Sequence, residues 1–449
     1  NLLRMNPQNQ TMFRDMGFVS EVARLLREAY AASEEGQPIA EWVEVQRNRN
    51  VFALLAVLRL FLVPGAAGTP LNQEAFLGDL GAPSGRGRGG KSVGSVLDST
   101  LQIGFSRVAD MPIRAEALMA CADMIRGNAK LQERFAALHV TSPLDFPPEA
   151  GDARVNGAIP KVYVIDGLLD MVLGVSSLQA FDLRMAACAC LKAYFYKHAE
   201  IRMHFLDHAV RTHKMRADDL TNALSILLQP GLESVVDPYR IWFAAVLILH
   251  LLHENPETKA LAMSITEGDE ENGEEVVTSI QTIAAHLLSS VSKNLDPRIS
   301  IAYLMLLLCW LFEDLDAVND FLGEATNLQG LIQAAIENPN GDVVVQGLSA
   351  MLAGVVYEFS TKDSPVPRAT VREMIMSRMG RDRYVDKMSR LRSHPLMREF
   401  EVLPQKLEDN GIDLKPPEVF FDETFVEFFK DNYSRILRAI DRDPDAETS

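Results

Sequence analysis

The chain has 449 residues, of which 47% are hydrophobic, and its formal net charge at pH 7 is −17. A chain of this length and hydrophobic content can bury a large core, arranged as several domains or as one elongated repeat array. The acidic balance argues against a surface devoted to nucleic acid or anionic lipid, so we expect no nucleic-acid partner.

The cysteines and the longest apolar runs indicate a soluble protein of a reducing compartment. Cys121, Cys188, Cys190 and Cys309 each lie in an apolar run and form no disulfide framework. The runs VFALLAVLRLFLV, IWFAAVLILHLLH and SIAYLMLLLCWLF are each about a dozen residues long, short of the roughly 20 that span a bilayer. We therefore expect buried helices and no membrane span.

The N-terminal segment NPQNQTMFRDMGFVSEVARLL has the pattern of two helices separated by a glycine. A turn precedes a short helix with Met12 and Phe13, Gly17 interrupts it, and a longer helix with Val22 and Leu26 follows. This order is typical of an armadillo-like unit, which cannot bury its apolar face alone and stacks on neighbours. Because the first residues already lie inside such a unit, we expect earlier repeats to be missing.

Long apolar helices recur along the rest of the chain, and a short turn and a more amphipathic helix follow most of them. The apolar segments are RNVFALLAVLRLFLV, IRAEALMACADMIRG, DLRMAACACLKAYFYKH, YRIWFAAVLILHLLH, RISIAYLMLLLCWLF and VVVQGLSAMLAGVVYEF. Their spacing of roughly 45 to 65 residues is in the range of armadillo and HEAT repeats once loops are allowed for. The sequence predicts an all-α fold, an armadillo/HEAT-like α-solenoid superhelix.

One short segment is ambiguous between strand and helix. VYVID at 162–166 is the best strand candidate, but Pro160 just before it suits the first turn of a helix that continues through GLLDMVLG. We predict the helix.

The predicted division of the chain follows its composition. The repeat array covers 1–403, with loop insertions at about 82–92, 139–160 and 266–275 that are rich in Gly and Pro or acidic. A C-terminal segment and a capping helix occupy 404–441. The residues 442–449 are predicted to be a disordered tail that leads toward a coiled coil absent from this chain.

The stretch GRGRGGKS fits the P-loop pattern at Gly85, Gly90, Lys91 and Ser92. A P-loop holds phosphate because a buried strand ends in the Gly-rich turn and a helix follows. No strand pattern precedes this stretch, and Asp166 is the only candidate for a Walker-B acid. We interpret the match as a decoy in a mobile insertion, and we expect no cofactor.

Histidines at helical spacing are the other candidates for chemistry. His204 and His208 have the i, i+4 spacing of two zinc ligands, but the Glu of H-E-x-x-H is absent, so we interpret them as partly exposed helix residues. His250 and His253 lie near a helix end, where a cation favours the dipole, and we predict a capping role. Cys188 and Cys190 are two residues apart on a predicted helix, so their side chains point in different directions and cannot bind one metal ion together. The sequence therefore predicts no metal site and no catalytic residue.

The last helix, within ETFVEFFKDNYSRILRAI, has a broad apolar face. Its residues are Phe425, Phe428, Phe429, Ile436 and Leu437, at three- and four-residue spacing. This face is a candidate partner contact. The alternative is that it caps the final repeat.

Several long segments resemble the globular head of the general vesicular transport factor family. They are NPQNQTMFRDMGFV, LRLFLVPGAAGTPLNQEAFLGDLG, RIWFAAVLILHLLHENPETK, RISIAYLMLLLCWLFEDLDAVNDFL, VVVQGLSAMLAGVVYEF, SRMGRDRYVDKMSRLRSH and FDETFVEFFKDNYSRILRAI. The resemblance is weakest from about 82 to 160, and the Gly-Arg loop is not a feature of the family.

The resemblance implies a non-catalytic armadillo-like head that joins a parallel coiled-coil dimer. It implies tethering in ER-to-Golgi and intra-Golgi transport, recruitment by a Rab-family GTPase, and partnership with golgins and SNARE proteins. The location implied is cytoplasmic, on Golgi membranes and ER-derived vesicles, with peripheral and indirect membrane association.

Two other functions stay open. One is an import-receptor-like adaptor for basic peptides, a class that shows a ladder of Trp and Asn along its groove; here only Trp42, Trp242 and Trp310 occur, and we predict core packing for all three. The other is a P-loop nucleotide-binding protein.

Overall fold

The computed structural model describes residues 2–34, 36, 38–78, 95–144, 160–174, 180–216, 221–268, 272–273, 275–336, 342–400, 418 and 420–445. The P-loop-like residues lie outside this part of the chain, as do 401–417, so the predicted boundary at 403/404 stays a prediction. By its internal contacts the chain divides into two compact units, Asn1–Ile201 and Arg202–Ser449.

The first unit is helical apart from one short strand pair. Its elements are α1 (Pro7–Asp15), α2 (Phe18–Glu28), α3 (Ala31–Glu34), α4 (Glu41–Leu60), α5 (Thr69–Leu77), α6 (Val96–Gly104), α7 (Met111–Ile125), α8 (Ala129–Ala136), β1 (His139–Thr141), β2 (Lys161–Tyr163), α9 (Val164–Leu169), a π-helical turn (Asp170–Gly174) and α10 (Phe181–Phe195). The helix α11 (Ala199–Lys214) contains the boundary between the units. The core of the first unit forms where α7 packs on α10.

The second unit has the longest buried helices. Its elements are α12 (Ala223–Leu228), α13 (Glu233–Val236), α14 (Pro238–Leu252), α15 (Pro256–Met263), β3 (Thr266–Glu267), β4 (Val277–Thr278), α16 (Ser279–Ser292), α17 (Pro297–Leu311), α18 (Leu315–Gly323), α19 (Ala325–Ile336), α20 (Val343–Phe359), α21 (Arg368–Arg378), α22 (Arg381–Ser393), α23 (Pro395–Arg398) and α24 (Glu423–Ala439). Within it α14 packs on α17 and α17 on α20. No helix among the described residues combines the length and the apolar character that crossing a membrane requires.

The predicted N-terminal unit is confirmed, whereas the predicted burial of Trp42 is wrong. Gly17 separates α1 from α2 with a left-handed φ of +85°, a conformation that glycine adopts without strain. Trp42 is 75% exposed because α4 turns Leu55 and Leu58 toward the core and Trp42 to the other side.

The segment after Pro160 begins as a strand and not as the predicted helix. Val162 of β2 pairs with Val140 of β1 in an antiparallel register, and α9 begins only at Val164. Pro160 contributes its carbonyl to this pairing, since the backbone N–H of Ser142 donates to it. The predicted loop insertions at 139–160 and 266–275 therefore have short strands at their ends.

One corner conformation recurs between a long helix and the shorter helix that follows it. Two residues after the ends of α7, α10, α14 and α17, the backbone turns left-handed. The residues are Gly127, Lys197, Glu254 and Glu313, and their φ angles are 72°, 53°, 51° and 55°. The next residue is Asn128, His198, Asn255 or Asp314, and a helix begins directly after it. Asn255 and Asp314 accept the backbone N–H groups of Thr258 and Ala317, which caps those helices.

Within each unit, buried or half-buried polar side chains link one repeat to the next. Gln73, Gln132, Arg202 and Lys259 donate, respectively, to the carbonyls of Asp123 and Arg126, of Ala193 and Tyr196, of His250 and His253, and of Phe312, at 2.8 to 3.3 Å. We call these contacts rungs. The acceptors lie one or four residues before the left-handed residue of the next corner, so each rung satisfies carbonyls that a helix end leaves without an intrahelical partner.

Candidate functional site

The apolar face of α24 is packed inside the second unit. Phe425 and Ile436 are 0% exposed, Phe429 is buried as well, and Leu437 is half-buried. The ring of Phe428 meets that of Phe312 edge-on, with centroids 5.1 Å apart. This packing favours the capping alternative. A partner contact through these residues stays a prediction, and it requires a partner that displaces α24.

Two hydrogen bonds hold the start of α24 against α14. Trp242 donates from its indole nitrogen to the carbonyl of Phe420 at 3.0 Å, and His250 donates from Nε2 to Oδ1 of Asp422 at 2.9 Å. Asp422 also accepts the N–H of Thr424 and so caps α24. His250 thus acts through a side-chain pair. Burial lowers the pKa of His253, which disfavours the cation that the predicted capping role requires; that role stays a prediction.

A buried carboxylate holds the end of α24. Glu358 on α20 is fully buried and accepts from Nε of Arg435 at 3.1 Å and from Arg442. Arg435 also reaches Glu313 at 2.6 Å, and Tyr357 donates to the carbonyl of Arg442 at 2.8 Å. The first residue of the predicted tail, 442–449, is therefore packed on α20; 446–449 lie outside the described residues.

Gly354 allows α20, α22 and α24 to meet closely. A Cβ at this position would overlap the hydroxyl oxygen of Tyr384 and would lie 2.7 Å from Cγ2 of Ile436. The helix α24 is therefore fitted to its neighbours at its start, through Asp422, and along its last turn, through Ile436.

In the described part of the chain, the candidate histidines and cysteines do not come together as a metal site or a catalytic site. His204 and His208 lie on an exposed face of α11, and no group of three or more possible metal ligands is present among the described residues. Burial raises the pKa of the thiols of Cys121, Cys190 and Cys309, which disfavours the reactive thiolate.

The described residues also lack the parallel sheet that a P-loop at the Gly-rich match would require. Asp166 lies in the first turn of α9, and both sheets of the described residues are two-stranded and antiparallel, whereas a P-loop needs a parallel sheet. The match at Gly85, Gly90, Lys91 and Ser92 itself stays untested. If Lys91→Ala changed nucleotide affinity measurably, the decoy interpretation would be wrong.

The tryptophans do not form the ladder of a peptide-binding groove. Trp242 and Trp310 are 1% and 0% exposed, as predicted, and only Trp42 faces outward. A ladder of side chains along a groove would have to be accessible, so this arrangement disfavours the import-receptor-like alternative.

Sequence reasoning missed an arginine-rich surface on α21, α22 and α23. Residues 368–398 contain nine Arg or Lys against three Asp or Glu, whereas the whole chain is strongly acidic. The basic residues are spread among apolar ones at helical spacing, so no compact basic run appears in the sequence. A local charge count over about 30 residues would have found them.

Long helices that pack side by side, joined by one recurring corner and one recurring rung, define a helical-repeat protein of the armadillo type. The model of the family described as "Uso1 / p115 like vesicle tethering protein, head region" matches residues 128–440. The chain belongs to this family of vesicle-tethering heads.

Relatives and a solved structure agree with the family match. The chain is 28% identical to "Intracellular protein transport protein USO1" of Saccharomyces cerevisiae, over 100% of this chain and 26% of that protein. It is 25% identical to "General vesicular transport factor p115" of Rattus norvegicus, over 98% of this chain and 41% of that protein. The solved structure described as "Crystal structure of Uso1-2" superposes with a TM-score of 0.81 at 27% identity, over 99% of this chain and 63% of that one. The chain thus spans well under half the length of these curated relatives.

Proposed function

We propose that this chain is the head of a vesicle tether that acts in ER-to-Golgi and intra-Golgi transport and has no catalytic activity of its own. The observation that carries the proposal is the family match over residues 128–440. The names of the yeast and rat relatives, an intracellular protein transport protein and a general vesicular transport factor, support the same pathway.

In this role the chain is a scaffold that binds other proteins. A Rab-family GTPase recruits it, golgins and SNARE proteins bind it during tethering and fusion, and the full-length protein is a homodimer. Membrane association is peripheral and indirect, on Golgi membranes and ER-derived vesicles that face the cytoplasm. The rungs support a scaffold, because side chains on helices held in fixed register lose little conformational freedom when a partner binds.

Capture by GTPases tests the proposal. The chain is immobilised and exposed to a panel of Rab-family GTPases, each loaded with a GTP analogue or with GDP. We expect selective capture of the GTP form of an early-secretory member. Capture of none, by this chain and by a longer one extended at its N-terminus, would contradict the proposal. Capture only by the longer chain would place the site in the added residues.

A further inference from the structure

The second unit has a local charge opposite to that of the chain as a whole. Residues 368–398 contain nine Arg or Lys, eight of them Arg, against Glu373, Asp382 and Asp386. Because the whole chain carries −17, the remaining residues carry an even larger negative excess. Unlike charges spread evenly over a surface, this concentration produces a local positive potential.

Four residues of this region form what we call the basic face: Arg378, Arg383, Lys387 and Arg390. Arg383, Lys387 and Arg390 follow one another at i, i+4 and i+7 on α22 and so share one side of the helix. Arg378 is the last residue of α21, three residues before Arg381, where α22 begins. Arg378, Arg383 and Arg390 are exposed.

The positive charge of the basic face is only partly neutralised within the chain. Arg390 pairs with Asp386 at 2.9 Å, and Lys387 donates to the uncharged side chain of Gln346. Arg378 and Arg383 make no ion pair or hydrogen bond with any other described residue through their side chains. Like charges at i and i+4 destabilise an isolated helix, so the arrangement of Arg383 and Lys387 does not serve helix stability.

The helix that carries the basic face is rigidly held. Its opposite side buries Tyr384, Met388 and Leu391 at 0% exposure. Leu391 lies against Gly347 of α20, where any larger residue would collide with it. The guanidinium groups are therefore displayed from a fixed backbone, which reduces the conformational entropy that binding would cost.

We propose that the basic face binds an acidic segment of a partner protein, in an extended conformation along α22. Guanidinium groups bind carboxylates through paired, planar hydrogen bonds, and the unpaired groups here are both Arg. Arg383 and Arg390 are seven residues apart, ~10.5 Å along the helix axis. Carboxylates on one side of an extended chain are two or four residues apart, ~6.6 or ~13.2 Å at ~3.3 Å per residue, and the long arginine side chains accommodate the remaining difference of ~3 Å.

The charge of the rest of the chain favours a peptide over an anionic membrane. An anionic membrane extends beyond the basic face and would repel the rest of the chain, which carries more negative charge than the chain as a whole. A peptide that lies along α22 contacts the basic face alone, and at physiological salt charges farther than about 8 Å are largely screened from it.

Binding of a defined peptide tests the proposal. The probe is a fluorescein-labelled decapeptide of alternating Glu and Ser, with a peptide of alternating Gln and Ser as its control. We expect the intact chain to bind the Glu peptide at low salt and to release it as the salt concentration rises. We expect no binding of the Gln peptide. The double variant Arg378→Gln/Arg383→Gln should bind about fivefold more weakly or worse, because two exposed charge pairs are lost.

The matched control removes two positive charges elsewhere. Lys130 and Arg134 are exposed on α8 of the first unit, also at i, i+4, and Lys130→Gln/Arg134→Gln should leave peptide binding unchanged. No binding of the Glu peptide, or equal losses in the two double variants, would overturn the proposal. Binding to vesicles that contain phosphatidylserine, lost in Arg378→Gln/Arg383→Gln while the peptide does not bind, would overturn it in favour of a lipid surface.

Discussion

Tyr384 of α22 donates a hydrogen bond of 2.7 Å from its hydroxyl to the backbone carbonyl of Ile436 in α24. Burial raises the pKa of this hydroxyl, so Tyr384 stays a donor throughout the range in which the protein is handled. The bond passes beside Gly354 of α20, where a Cβ would overlap the same hydroxyl oxygen. One contact thus fixes the separation of three helices.

The first prediction concerns Gly354→Ala. The added methyl group collides with Tyr384 and Ile436, and overpacking of this kind lowers the free energy of unfolding by about 1–3 kcal/mol. Urea denaturation followed by circular dichroism measures it. Gly231→Ala is the control, since a Cβ there meets no atom within 4 Å. Equal effects of the two substitutions would mean that the three helices do not meet this closely.

The second prediction distinguishes the two roles of the α24 face. Phe428→Asp buries a charge beside Phe312 and should unfold the C-terminal part of the second unit, because the face is packed inside it. Leu437→Asp, on the half-buried side of the same helix, should be tolerated much better. Circular dichroism and sedimentation measure folding and self-association. A Phe428→Asp variant that folds normally but no longer self-associates would support the interface.

The third prediction tests the rungs at Gln132→Met. The substitution keeps most of the volume but leaves the carbonyls of Ala193 and Tyr196 without their donor, at a cost of about 1–3 kcal/mol. Lys130→Met, on the exposed side of the same helix, provides the comparison in thermal and urea unfolding. If both variants unfold like the wild type, the rungs do not stabilise the repeats.

The fourth prediction concerns the recurring corner. Glu254 has a left-handed φ of 51° and an exposed side chain, so Glu254→Gly should stabilise the protein by up to about 1 kcal/mol. Gly127, with a φ of 72° at the equivalent corner, should show the reverse, because Gly127→Ala strains the backbone. Opposite shifts in the midpoint of unfolding are expected. A loss of stability in Glu254→Gly would show that the side chain matters more than the backbone.

The fifth prediction is a dependence on pH through His253. Burial beside Phe428 lowers the pKa of His253, with His250, Arg202 and Lys259 acting in the same direction and Glu254 opposing them. The unfolded chain, with a His pKa of ~6.5, therefore binds the proton first as pH falls. The stability contributed by the neutral ring is complete above that value and declines as pH falls through it toward the folded pKa. Urea titrations at pH 7.5 and 5.5 should show a smaller acid loss in His253→Gln than in the wild type; equal losses would exclude His253 as a source.

The repeat architecture was predictable from the sequence, whereas the contacts that join the repeats were not. Helices such as α17 are apolar on nearly every side, which only burial among neighbours explains. Gln132 and Lys259 have the polarity of surface residues, and their burial makes sense only beside the carbonyls of the next helix. Trp42 shows the opposite case, since an aromatic residue near an apolar run was expected in the core and is exposed.

The same limit applies to the candidate site. The apolar face of α24 was visible in the sequence, but its partner was not, because Phe312 lies more than a hundred residues earlier in the chain. The basic face was missed for another reason: its members are three to five residues apart on two helices, so they come together only after folding.

The rungs give the array a direction. In each rung the donor belongs to the earlier repeat and the acceptor carbonyls to the later one. The donor is Gln in two rungs, Arg in the third and Lys in the fourth. The contact between repeats therefore depends on one hydrogen-bonding geometry and not on a particular side chain. A repeat duplicated in tandem would therefore carry both the donor and the acceptor carbonyls of a rung. Arrays of this kind can lengthen by duplication, because each new interface between repeats forms the same hydrogen bonds.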